Sequence, residues 1–171
     1  METTANFSVF VVDDDKMFLT SLAHHIKGMF ISSPNIKTFP TGEECLKNLH
    51  TKPNVVILDY FLNSQYPEAM NGVNVLKKIK EINPDTEVIM LSAQDKMEVA
   101  IDVMKHGAAD YVIKNDNVFM GIQHGIMNVI HSINKSKEQK DYKFWMQIFI
   151  AVISTIITVI ICLRIFVPRL F

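Results

Sequence analysis

Cysteine is nearly absent: Cys45 and Cys162 are the only two, far apart and without metal-ligand spacing. That argues against a disulfide framework or a thiolate metal site, and it reads as free thiols in a reducing compartment. Neither sign of charge dominates, with 17 Lys and Arg against 18 Asp and Glu and a formal net charge of -1. No global basic field is available to hold nucleic acid, and no nucleic-acid partner is expected. The six histidines lack ligand spacing, and the adjacent His24 and His25 would face different ways on a helix. Internal repeats and low-complexity tracts are also missing. Met1 to Asn6 is short and polar and runs straight into an apolar segment, so no secretory signal is read there. The bulk of the chain is expected in the cytoplasm.

What the 171 residues do contain is room for one ordinary domain and a short appendage. Four short apolar runs each end on a reactive polar residue. Val9–Val12 runs into Asp13, Asp14 and Asp15; Val55–Leu58 into Asp59; Val88–Leu91 into Ser92; and Tyr111–Ile113 into Lys114. Short apolar runs of this kind read as buried strands of a parallel sheet. Ligands of open parallel sheets bind beyond the carboxyl ends of the strands. The four polar ends therefore gather carboxylates, a hydroxyl and an ammonium on one edge, a composition suited to metal-assisted phosphoryl chemistry.

Amphipathic helical stretches lie between the runs. Lys16–Met29 carries an apolar stripe at Phe18, Leu19, Leu22, Ile26 and Met29. Thr41–Leu49 follows Pro40, with Thr41 as N-cap and Glu44 completing a capping box. Gly72–Ile82 stops at Asn83-Pro84, and Lys96–His106 stops at Gly107. Val118–Ile133 is the last helix of the domain, and Ile36–Phe39 is a fifth strand. Strand and helix alternate five times, which calls for a doubly wound parallel sheet.

The segments VVDDD, VVILDYF, VIMLSAQD and GAADYVIKN, in this order, resemble the receiver domain of two-component response regulators over roughly residues 5–133. The resemblance implies a flavodoxin-like (βα)5 fold. It implies that Asp59 is the phosphoacceptor, a carboxylate nucleophile towards phosphorus. Asp13 and Asp14 match the acidic pair that binds magnesium with Asp59 and the Phe61 backbone carbonyl; a hard cation of this kind takes oxygen ligands. Asp15 continues the acidic run as a loop or helix-capping residue. Ser92 and Lys114 match the hydroxyl and the ammonium that stabilise the transferred group, and Ala93 leaves room for the donor. Tyr111 matches the aromatic that switches rotamer together with Ser92. A histidine kinase is the implied phosphodonor, and catalysis extends only to the chain's own phosphorylation and dephosphorylation.

Two departures stand out. Gly72 follows Asp59 by thirteen positions and Pro67 is displaced, so this loop is about five residues longer than in typical receivers. Loops tolerate such insertions cheaply, so the extra length is read as neutral, or else as a shield or partner surface. Asn115 stands where a proline usually follows the lysine. Phe61 and Gln94 occupy variable positions that tune phosphoryl lifetime, and bulky Phe61 predicts a long-lived phosphoryl group. A haloacid-dehalogenase-type phosphatase would need a second aspartate where Phe61 stands.

From Phe144 to Leu163 no residue is charged. A helix of that length spans roughly 30 Å, the thickness of a bilayer's hydrocarbon core. Tyr142, Phe144 and Trp145 precede the run, and Phe166 and Phe171 follow it, like an interfacial belt. Lys135, Lys137, Lys140 and Lys143 on one side outnumber Arg164 and Arg169 on the other, which favours the receiver side in the cytoplasm. The charged segment 134–143 lacks Gly and Pro and is expected as a linker or, preferably, a helix extension. The repeat Gly121-x-x-x-Gly125 lies outside the apolar run and is not read as a membrane dimer motif.

The expected whole is thus a single-pass, membrane-tethered receiver. The connector leads straight to the anchor without an effector domain, so output is expected through an unknown downstream protein or through homodimers. The alternatives are a phosphotransfer intermediate or phosphate sink beside a membrane kinase, or a non-enzymatic scaffold.

Overall fold

The computed structural model describes residues 7–62 and 69–166, with the backbone alone at 136–141 and 164–166. Pro67, most of the longer loop, Arg169 and Phe171 lie outside the described residues. Strands and helices alternate as the sequence predicts: β1 Ser8–Val12, α1 Lys16–Gly28, β2 Asn35–Phe39, α2 Gly42–Asn48, β3 Val55–Asp59, α3 Gly72–Ile82, β4 Glu87–Ser92, α4 Met97–Lys105, β5 Asp110–Ile113 and α5 Val118–Phe166. A 3-10 turn, Leu49–Thr51, follows α2. The five strands form one sheet in the order β2-β1-β3-β4-β5, with parallel pairing throughout. The strand order reverses between β1 and β3, and the crevice above such a reversal is where this fold class places ligands.

Both sheet faces are covered, so the central strands are apolar at every interior position. One face packs Phe10, Val12, Val56, Leu58, Val88 and Met90 into a core with Val75, Leu76 and Ile79 of α3 and Val103 of α4. Residues of the other parity, including Val9, Val11, Ile57 and Ile89, are equally buried, as are Leu22 and Ile26 of α1 and Ile122 and Ile126 of α5. The glycine repeat belongs to this second face. A Cβ on Gly121 would lie 2.7 Å from Val112 Cγ1, and one on Gly125 would lie 3.0 Å from Ile89 Cδ1. Both glycines let α5 approach the sheet closely.

Local signals set the helix ends. Asp15 caps α1, its side chain accepting from the Met17 and Phe18 N–H groups at 2.8 and 3.2 Å. Thr41 caps α2, accepting from the Glu44 N–H at 3.4 Å. Asn71 caps α3, accepting from the Asn74 N–H at 2.9 Å. Gly107, with φ of +94°, ends the α4 turn in a conformation that favours glycine.

The chain divides into two units, with the division inside α5 between Val129 and Ile130. The first unit contains the whole sheet. In the second, α5 continues unbroken through 134–143. Its segment Tyr142–Leu163 has a mean hydropathy of 2.6, none of it is buried, and by length and composition it is sufficient to cross a bilayer. Thr155 and Thr158 turn their hydroxyls back to the Val152 and Ser154 carbonyls, so these polar groups are satisfied within the helix.

Candidate functional site

The carboxyl ends of β1 and β3 meet at the strand-order reversal. Val12 pairs with Leu58, so Asp13 and Asp59, one step further on each strand, come side by side. Asp13, Asp14 and Asp59 are all buried, at 0, 5 and 4% exposure. Each offers a carboxylate oxygen, and these oxygens lie within 4.8 Å of one another. Burying three such groups together is unfavourable without a cation.

Lys114 supplies one. It follows β5, and its N–H donates to the Ser92 carbonyl at 2.7 Å. Its Nζ sits 2.6 Å from Asp13 Oδ2 and 3.0 Å from Asp59 Oδ2. The Asp13 contact is a short ion pair between the ammonium and a fully buried carboxylate. The ammonium thus bridges the carboxylates that follow β1 and end β3.

Burial is the leading influence on all three charged groups. Burial, then the neighbouring Asp13 charge, pushes the Asp59 carboxyl up to about 6, against the pull of Lys114 and of the Phe61 backbone N–H. Burial also raises Asp13 above the usual carboxylate range. Burial alone would lower Lys114, but Asp59 and Asp13 outweigh it and hold the ammonium above its ordinary value. A divalent cation with oxygen ligands fits this donor set, because three buried carboxylates converge with oxygens within 4.8 Å of one another.

Ser92 and Tyr111 form a second group. Ser92, the fully buried last residue of β4, accepts from the Gln94 N–H at 3.1 Å. The Gln94 carbonyl accepts from the Tyr111 hydroxyl at 2.5 Å. One residue of the loop after β4 therefore joins serine to tyrosine, and the tyrosine ring packs on the core that includes Met90 and Val103. Register, rather than a contact, relates Ser92 to the carboxylates: Asp59 pairs with Leu91, one residue before it. Asp15 serves as a helix cap, as the sequence suggests, and its backbone N–H donates to Asp13 Oδ1 at 3.0 Å. Phe61 is 39% exposed and stands edge-on to Tyr60 at 4.8 Å.

Sequence reasoning missed how the site is held in place. A Cβ on Gly72 would collide with the Asp59 carbonyl oxygen and come within 2.9 Å of Tyr60 Cα. Gly72 N–H also donates to the Tyr60 carbonyl at 3.0 Å. The start of α3 thus rests directly on the residue that ends β3, and only glycine fits there. The signal was available as a glycine at the first turn of a helix, where a better helix former is usual.

Comparison with known proteins agrees with this geometry. The family model described as "Response regulator receiver domain" matches residues 9–118. The chain belongs to the response regulator receiver domain family. Among relatives, the Transcriptional regulatory protein ZraR of Escherichia coli is 30% identical over 112 residues, covering 66% of this chain and 24% of that protein. The Transcriptional regulatory protein PrrA of Mycobacterium leprae is 31% identical over 107 residues, covering 62% of this chain and 42% of that protein. The receiver thus corresponds to a quarter to under half of these longer relatives. Among solved structures, a "BeF3 Activated DrrB Receiver Domain" is 29% identical with a TM-score of 0.63, covering 74% of this chain and 98% of that one. The response regulator DrrB of Thermotoga maritima is 32% identical with a TM-score of 0.57, covering 67% and 48% of the two chains. Receivers take phosphoryl groups from histidine kinases, generally bind magnesium at an acidic pocket and are typically cytoplasmic.

Proposed function

We propose that this receiver accepts a phosphoryl group on Asp59 from a histidine kinase and signals through protein contacts while tethered to a membrane. The observation that carries the reading is the cluster itself: Asp59 buried at the end of β3, within ion-pair distance of Lys114 and among the carboxylates of Asp13 and Asp14. Asp13, Asp14, Asp59 and the Phe61 backbone carbonyl would hold magnesium, which supplies positive charge to the phosphoryl oxygens when bound.

The protein's own groups do the rest. An Asp59 carboxylate oxygen attacks phosphorus, the bond from phosphorus to the donor imidazole breaks, and the electron pair returns to the imidazole nitrogen. The Lys114 ammonium and the Ser92 hydroxyl meet the charge on the transferred oxygens. Moving Ser92 disturbs the Gln94 N–H bond, and the Gln94 carbonyl holds Tyr111, so Tyr111 is the switch that carries the event to the surface around α4 and β5. The working division is a receiver over 5–133, a charged extension over 134–143 and a transmembrane helix over 144–163, with the receiver in the cytoplasm.

The test is acetyl phosphate with magnesium on the full chain in detergent. Wild type should gain an acid-labile phosphoryl group and Asp59→Asn should not; equal labelling of the two overturns the assignment. Carbonate extraction of membranes tests the anchor, and release of the full chain into the soluble fraction would refute it.

A further inference from the structure

The ammonium of Lys114 has a third neighbour besides Asp13 and Asp59. The ring of Phe18, a half-buried residue in the first turn of α1, has its centroid 4.9 Å from Lys114 Nζ. Within about 6 Å, an aromatic face attracts a cation through its quadrupole. The ring also has an aromatic neighbour: it stacks on Phe119 of α5, with centroids 6.1 Å apart and planes 22° apart. Phe119 is in turn backed by the His25 ring at 5.0 Å. Two helices thus hold one aromatic face against the ammonium.

We propose that Phe18 is a positioning residue for phosphoryl transfer, acting through Lys114. The inference rests on Asp59 being the phosphoacceptor. Lysine is a point charge on a flexible four-carbon stem, so it must be confined to act at one place. A further carboxylate would confine it but would compete with phosphoryl oxygens for its N–H groups. The π-face attracts the same cation while accepting no strong hydrogen bond. Lys114 can therefore exchange a carboxylate oxygen for a phosphoryl oxygen without leaving the ring. The ring also shields one side of the ammonium from water, which strengthens its remaining interactions.

The test uses the full chain in detergent, with Phe18 replaced by mono-, di- and trifluorophenylalanine, and separately by Tyr, Trp and Leu. Fluorination keeps the ring's shape but weakens its quadrupole. The rate of Asp59 phosphorylation by acetyl phosphate should fall stepwise along the fluorinated series, by about three- to tenfold in total. Phe18→Leu should lie at the bottom, and Phe18→Tyr and Phe18→Trp should retain the rate. The Lys114 Cε proton signals should be shifted upfield by the ring current in wild type and should lose that shift in Phe18→Leu. Magnesium affinity should stay at the wild-type value. Equal rates along the fluorinated series, or no ring-current shift in wild type, overturn the role of Phe18 while leaving the phosphoacceptor intact. A loss of magnesium affinity matching the loss of rate also overturns it, by placing the effect on the acidic cluster. Failure of wild type itself to take up a phosphoryl group overturns both.

Discussion

The apolar strands and the apolar end of α5 share one vocabulary and meet opposite surroundings. Val11, Ile57 and Ile89 are completely buried, whereas Val152, Ile156 and Ile160 are 50 to 53% exposed. The strand runs are short, lie in a sheet covered on both faces and end on Asp13, Asp59 and Ser92. The helical run carries its apolar groups all round and ends on nothing reactive. The first kind of run is solvated by the protein and delivers chemistry to an edge. The second is exposed along its length and, by length and composition, sufficient to cross a bilayer.

Placing a carboxylate in each region is the strongest way to break this comparison. Ile57→Asp should abolish the cooperative unfolding transition seen by circular dichroism, since an unpaired charge in the sheet costs more than about 4 kcal/mol. The pair Val152→Asp with Ile156→Asp should leave that transition in place. It should instead move the chain to the soluble fraction on carbonate extraction, at about 3 kcal/mol of insertion free energy per aspartate. Similar behaviour of the two variants would mean that the two regions do not differ in kind.

Gly72→Ala is next in size. It forces a Cβ into the Asp59 carbonyl, and the required backbone shift should cost about 2–3 kcal/mol of stability. Urea titration measures that loss, and phosphorylation of Asp59 should slow with it.

Asp59→Asn sharpens the comparison by testing the polar end of a buried run. The Asp59 carboxyl is raised from 3.8 to about 6, so its folded pKa lies above its unfolded one. The ionised form therefore opposes folding fully above about pH 6, and the penalty fades as pH falls towards 3.8. Without magnesium, Asp59→Asn should be more stable than wild type at pH 7 by about 1–3 kcal/mol, because each tenfold difference in proton affinity between the folded and unfolded chain is worth about 1.4 kcal/mol. The gap should narrow at pH 5 and shrink or reverse when magnesium is added at pH 7. Thermal melts at the two pH values read this, and a gap independent of both pH and magnesium would refute it.

The smallest effect is expected from Tyr111→Phe, which removes only the hydroxyl bond to the Gln94 carbonyl. It should cost about 1 kcal/mol in stability. Phosphoryl uptake should persist, while any phosphorylation-dependent change in binding to a partner should weaken.

Most of the fold was legible because its signals are local. Apolar runs bounded by Pro, Asn and Gly mark the strands to within two residues, and the Asp15 and Thr41 caps follow from side chains that bond to their own next turn. The residues of the ionic cluster were legible too, since each ends a strand or lies within two residues after one. Their pairing was not. That Lys114 reaches Asp13 as well as Asp59, that Gln94 links Ser92 to Tyr111, and that Phe18 lies under the lysine all depend on residues distant in sequence. The apolar stripe of α1 shows that Phe18 faces inward, but it cannot show which side chain it meets.

The sequence by itself determined the alternation of strand and helix, the polar residues delivered to one sheet edge, and an apolar segment long enough for a bilayer. These follow from periodicity and run length, which neighbouring residues settle among themselves. Only the tertiary structure decided the rest: Asp13 and Asp59 sharing the Lys114 ammonium, a glycine seated on the Asp59 carbonyl, and an aromatic face held against Lys114 from two helices. These depend on strand register and helix packing, where burial strips water from groups far apart in the chain and makes their mutual distances the governing quantity.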